Sequence, residues 1–268
     1  MREFFGFGGY AREPEGYMSW QHLAFVTLLM AIMVGLSVYF GLKYKSRSER
    51  EENHPLIIAA IMIDSFELFK IVIMCIRSGD PLAWLYDLPL FLCSIQLITI
   101  PLAAFAKGRV KEAALDFVFI FGILGAVLGT YLAGQNYGTY PVLSFDNVVS
   151  VITHSISGFS SLYIVISGMS SMKKKNIPIT FSILFFFCAS ALIANAALDY
   201  NYMFLRRGDG TPYDIFYNLV GGNAVLYPMI VILLFVIYII AFQYTYNFFK
   251  NRKKRATEQS EETVSSTN

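Results

Sequence analysis

Two residues separated along the chain stand out for their chemistry. Cys93 is a thiol that either is apolar filler or, near the start of a helical segment, favours thiolate, and His154 is the side chain best suited to moving a proton near neutral pH. A third group, Glu67, sits in the run Asp64, Glu67, Lys70, whose successive members are three residues apart. On a helix that spacing puts Asp64 and Glu67 on one face and lets Lys70 pair with Glu67 across one turn. Glu67 therefore either orients the histidine or pairs with Lys70 in a structural ion pair. Gln96 lies about one turn beyond Cys93. His22 lies nearer the start of the chain. Asn201 and Tyr202 lie in a loop with Tyr213, Arg206 and Arg207, where they either cap a site or anchor the loop at an interface. Asn147, Ser150, His154, Ser157, Gly158 and Ser161 recur at intervals of three and four. That pattern is a small and polar stripe of the kind helices use for close packing.

These groups are placed by long apolar segments. The chain has 268 residues, 56% hydrophobic and 15% charged, and the charges collect in short runs. Segments of about 20 apolar residues cross a bilayer as helices. Hydropathy predicts seven, at 20–42, 56–76, 82–106, 113–134, 148–169, 177–198 and 223–249. The expected fold is all-α: a single transmembrane helix bundle over 1–249, with a disordered tail at 250–268. With the N-terminus outside, fifteen Lys and Arg fall in inner loops and five in outer ones. The rule that positive residues stay inside then predicts a cytoplasmic C-terminus and a multi-pass protein of the cell membrane. Pro89 is expected to kink the third span or start a new segment, with Cys93 about one turn into it.

Depth brings three groups into register. At 1.5 Å per residue, Cys93, His154 and Glu67 lie about 16, 9 and 14 Å below the outer ends of their spans. A cysteine, a histidine and a carboxylate thus share the outer half of the bilayer. Polar groups at such depth are costly and mark functional positions. The three cysteines, Cys75, Cys93 and Cys188, have no metal-ligand spacing. A net charge of +2 gives no nucleic-acid signal. No metal or cofactor is expected, and membrane lipids are the expected partners.

Four motifs in order, MSWQHL, LPLFLCS, VITHSISG and NYMFL, resemble the YwaF-like family of integral membrane proteins over most of the chain. That family often carries histidine where this chain has Phe91. A related vertebrate transmembrane protein remodels ether phospholipids as an acyltransferase. The resemblance implies a lipid acyltransferase or transacylase in which Cys93 matches the family's cysteine and His154 its histidine; Cys93 would then be the nucleophile, His154 its general base, and Asn201 or Gln96 an amide donor to the oxyanion. Two other readings of the same polar layer stay open. In one, Asp64, Glu67, Lys70 and His154 line the path of a transporter or channel subunit. In the other the chain is a seven-span receptor or assembly partner.

Overall fold

The computed structural model describes residues 2–170 and 172–266, with side chains as far as Arg252. Among the described residues every regular element is helical. The α-helices are α1 (Trp20–Tyr44), α2 (Glu49–Ser78), α3 (Gln96–Phe105), α4 (Gly108–Tyr131), α5 (Gly134–Thr139), α6 (Phe145–Ser167), α7 (Ile177–Leu198), α8 (Asp214–Leu219) and α9 (Leu226–Ser266). The tail expected to be disordered, 250–268, falls mostly on residues whose side chains lie outside the described ones.

Local chemistry starts and stops these helices. The Ser19 hydroxyl accepts the His22 N–H at 3.2 Å and opens α1. Ser48 and Glu51 form a reciprocal capping box at α2, whose chain then leaves through Gly79 in the left-handed region. Ser144 caps α6, and Gly168 at φ 91° ends it.

Five helical stretches are long and apolar enough to cross a membrane: Trp20–Tyr44, Gly108–Thr139, Phe145–Ser167, Lys174–Leu198 and Leu226–Arg252. Two of the seven expected spans are absent from that set. The second, α2, is continuous over 30 residues, but Asp64, Glu67 and Lys70 interrupt its apolar run. The third is not one helix. Ala83–Tyr86 is a 3₁₀ turn, 87–95 is irregular, and only the ten residues of α3 are α-helical. At 1.5 Å per residue α3 is about 15 Å long, half of a hydrocarbon core. Pro81 and Pro89 contribute to the break, since neither has an N–H for a helical ladder. Cys93 accordingly precedes the helix instead of lying one turn inside it.

The helices group into two compact units. In the first, α6 packs on α4 and α1, α3 packs on α4, and α2 lies against α3 and α6. α4 is the most enclosed, with Ala113, Ala114, Phe117, Val118 and Ile120 fully buried. The small and polar stripe of α6 does the packing expected of it. Ser161 donates to the Phe119 carbonyl at 2.8 Å, and a Cβ on Gly122 would lie 2.7 Å from the Ser157 carbonyl oxygen. In the second unit α8 packs on α9, with Tyr217 edge-on to Tyr227 at 5.1 Å.

Candidate functional site

The irregular segment 87–95 is the most informative departure from helical order. Non-helical backbone at membrane depth persists only where protein encloses it or where it lines a cavity. Here the segment makes its own turn. Ser94 Oγ accepts the Phe91 N–H at 3.1 Å, and the Phe91 carbonyl accepts the Ile95 N–H at 2.9 Å. Cys93 is in the middle of that turn and is only half-buried.

His154, from the third turn of α6, meets it. The thiol and the imidazole lie within direct interaction range. No hydrogen bond joins them in this structure, and His154 Nε2 is a buried atom with no partner. The other ring nitrogen is committed, with Nδ1 2.7 Å from the Ser150 carbonyl oxygen. A carbonyl only accepts, so Nδ1 carries the proton and Nε2 presents its lone pair. That is the tautomer a general base for a thiol requires.

α4 supplies the seat. A Cβ built on Gly125 would lie 3.3 Å from Cys93 Cβ, and one built on Gly129 would fall within the His154 ring. Gly129 is thus required for its missing side chain, whose volume the imidazole occupies. The Gly-x-x-x-Gly spacing in span four is the sequence signal that points to this contact.

The charged layer lies alongside. Lys70 Nζ is 2.6 Å from Glu67 Oε1 and 2.8 Å from Asp87 Oδ2, so one ammonium lies between two carboxylates. Glu67 is 9% exposed and pairs with Lys70, while His154 is oriented by the Ser150 carbonyl. The ion-pair reading of Glu67 therefore describes its place. Asp87 is the group that sequence reasoning missed. Its signal was an ionisable side chain six residues before Cys93 in an otherwise apolar segment.

The remaining expected residues fall in different places. Gln96, fully buried at the start of α3, accepts the Thr99 hydroxyl at 3.0 Å and leaves its Nε2 donor without a partner. Tyr202 holds the irregular segment in position. Its hydroxyl donates to the Leu85 carbonyl at 2.6 Å and accepts the Leu88 N–H at 3.2 Å, and its ring lies 5.3 Å from that of Phe91. Asn195 fixes Tyr202 in turn, accepting its N–H at 2.5 Å and donating to its carbonyl at 3.0 Å. Asn201 is buried in the same turn. His22 has no ring nitrogen left for a ligand. Nε2 donates to the Thr130 carbonyl at 3.0 Å, Nδ1 accepts the Met18 N–H at 3.2 Å, and the ring stacks on Tyr137 at 3.7 Å. Asp64 is exposed, as are Ile61 and Leu68 near it on α2, and it has no partner among the described residues.

No group of three or more His, Cys, Asp or Glu among the described residues is arranged to hold a metal. Comparison with curated proteins and with solved structures yields no match. The model of the TMEM164 family, a family of transmembrane proteins, matches residues 17–254 and so takes in α1 to α7, the irregular segment and most of α9. With nearly the whole chain matched, this protein belongs to the TMEM164 family.

Proposed function

We propose that this chain is a lipid acyltransferase or transacylase of the cell membrane, with Cys93 as nucleophile and His154 as its base. The observation that carries the reading is the meeting of Cys93 with a histidine whose Nδ1 is held by the Ser150 carbonyl and whose Nε2 is free. In the first half-reaction Nε2 takes the thiol proton, and sulfur attacks the ester carbonyl of a phospholipid. The ester C–O bond breaks, the proton goes to the departing lysolipid oxygen, and the acyl group remains as a thioester on Cys93. In the second half-reaction His154 takes the proton of an acceptor lysolipid hydroxyl. That oxygen attacks the thioester, and the proton returns to sulfur. The unpartnered Gln96 amide is the candidate donor to the oxyanion in both halves. Lys70 is committed to Glu67 and Asp87, so this ion cluster is given no part in stabilising the oxyanion.

Purified Cys93→Ala protein supplied with labelled phospholipid and lysolipid tests this. Loss of label transfer with retained folding is expected, and undiminished transfer would eliminate the thiol mechanism. Solute flux in proteoliposomes without lipid turnover would favour transport instead.

We further read the chain as crossing the membrane seven times with the N-terminus outside and the C-terminus cytoplasmic. In this reading α2 crosses with Glu67 paired to its own Lys70, and the third crossing combines the irregular segment with α3. Reporter fusions at the two ends test it, since two ends on the same side of the membrane would exclude an odd number of crossings.

A further inference from the structure

Residues 2–18 precede α1, and all but the last two lie outside the family match at 17–254. They are nonetheless anchored at three points to the end of the first unit where α2 finishes and α6 begins. The first anchor is ionic. Arg77, in the last turn of α2, makes a two-pronged pair with Asp146 in the first turn of α6, at 2.6 and 2.8 Å. Tyr10 donates to the same carboxylate at 2.6 Å, and Arg77 also reaches the Phe5 carbonyl at 3.4 Å. The second anchor is aromatic. Phe5 packs on Phe69 of α2 at 6.2 Å and on Phe145 of α6 at 5.1 Å, while Tyr10 meets Tyr140 at 5.7 Å. The third is hydrogen bonding to backbone N–H groups. The Phe145 N–H donates to the Phe4 carbonyl at 2.9 Å, and Glu15 accepts the Val142 N–H at 2.8 Å. Gly6 makes the approach possible. It has φ +69°, and a Cβ there would press on the Tyr10 ring at 2.8 Å and on Arg77 Nη1 at 3.0 Å.

This strap lies one layer from the chemistry. Asp146 and His154 are eight residues apart on α6, and Lys70 and Arg77 seven apart on α2. At 1.5 Å per residue the strap therefore stands about 10–12 Å along the helices from the Cys93–His154 pair.

We propose that residues 2–18 are a closure over this end of the site that selects the route by which a reactant arrives. With the strap seated, polar molecules are kept from Cys93 at the α2–α6 end, and the pair is reached from between the helices by molecules that partition into lipid. For the acyl transfer proposed above, on which this consequence rests, the closure confines acceptors to lysolipids and keeps water from the thioester.

The test reads access directly and does not need transfer activity. In a Cys75→Ala/Cys188→Ala background Cys93 is the only thiol. Its labelling is timed with a permanently charged methanethiosulfonate and with uncharged N-ethylmaleimide, in the full chain purified in lipid nanodiscs. A strap variant, Phe4→Ala/Phe5→Ala/Tyr10→Phe, leaves every bundle residue intact. Loosening the strap is expected to speed the charged reagent by roughly tenfold or more while the uncharged one stays within about twofold. An unchanged charged-reagent rate, with the variant's strap shown by limited proteolysis to be released, would overturn the proposal. Both rates rising together would overturn it too, because that pattern reports a loosened helix bundle and not an opened end.

Discussion

Gly129→Ala tests whether the α4 glycine seat holds the reacting pair. An added Cβ would occupy the volume of the His154 ring. Ordinary carbon contacts need about 3.5–4 Å, so the ring must retreat by more than about 1 Å. It cannot do so freely, because Nδ1 is tied to Ser150 at 2.7 Å. Overpacking costs about 1–3 kcal/mol, and replacing glycine inside a helix returns about 0.5–1, so the variant is expected to fold with a modest loss of stability. The chemical loss is larger, since a misplacement of about 1 Å at a reacting group costs on the order of a hundredfold in rate. Gly125→Ala is the matched control. Its Cβ would stand 3.3 Å from Cys93 Cβ, a contact relieved by a few tenths of an ångström. The assays are labelled acyl transfer and the pH dependence of Cys93 alkylation in the Cys75→Ala/Cys188→Ala background. Gly129→Ala should lower transfer about a hundredfold and shift the alkylation profile toward that of His154→Ala. Gly125→Ala should do neither. Transfer within about threefold of the parent, in folded Gly129→Ala protein, would refute the seat and the role given to His154.

Three further outcomes follow from the same geometry. Lys70→Met leaves buried Glu67 and half-buried Asp87 without their cation, and should cost about 3 kcal/mol in thermal unfolding; Lys70→Arg should recover part of it. Tyr202→Phe removes the hydroxyl that bridges Leu85 and Leu88, and should lower stability by about 1–3 kcal/mol while making 82–91 more open to proteolysis. Burial pushes the Glu15 carboxyl up, but the Val142 N–H and Arg12 outweigh it and hold the group below its usual value. A carboxyl depressed on folding stabilises above its unfolded value of about 4.3, and that stabilisation is lost as pH falls through the folded value. Glu15→Gln should therefore lower stability by about 1 kcal/mol at pH 7, with the difference from the parent closing below about pH 4.

The apolar segments were legible from sequence because transfer into lipid sums along a chain without reference to what lies beside it. The boundaries of α7 match the expected 177–198, and α1 and α6 differ from expectation by a few residues at either end. The pairing of Glu67 with Lys70 was legible too, because residues three apart on a helix are neighbours wherever the helix sits. Legibility ended where the partner came from another element. The sequence contains Pro81 and Pro89, but not the fact that the backbone stays irregular as far as Ile95, since Tyr202 and Asn195 stabilise that path from more than a hundred residues away. It placed Cys93 and His154 at similar depths. Whether sulfur meets imidazole depends on how α4 seats both, receiving α6 at Gly122 and Gly129 and the irregular segment at Gly125. Asp87, His22 and the strap belong to the same class. Composition and spacing determined a membrane-embedded helical protein with a polar layer; only the packing of helices against one another decided which of those polar groups meet, because that depends on side-chain volume in three dimensions and not on order along the chain.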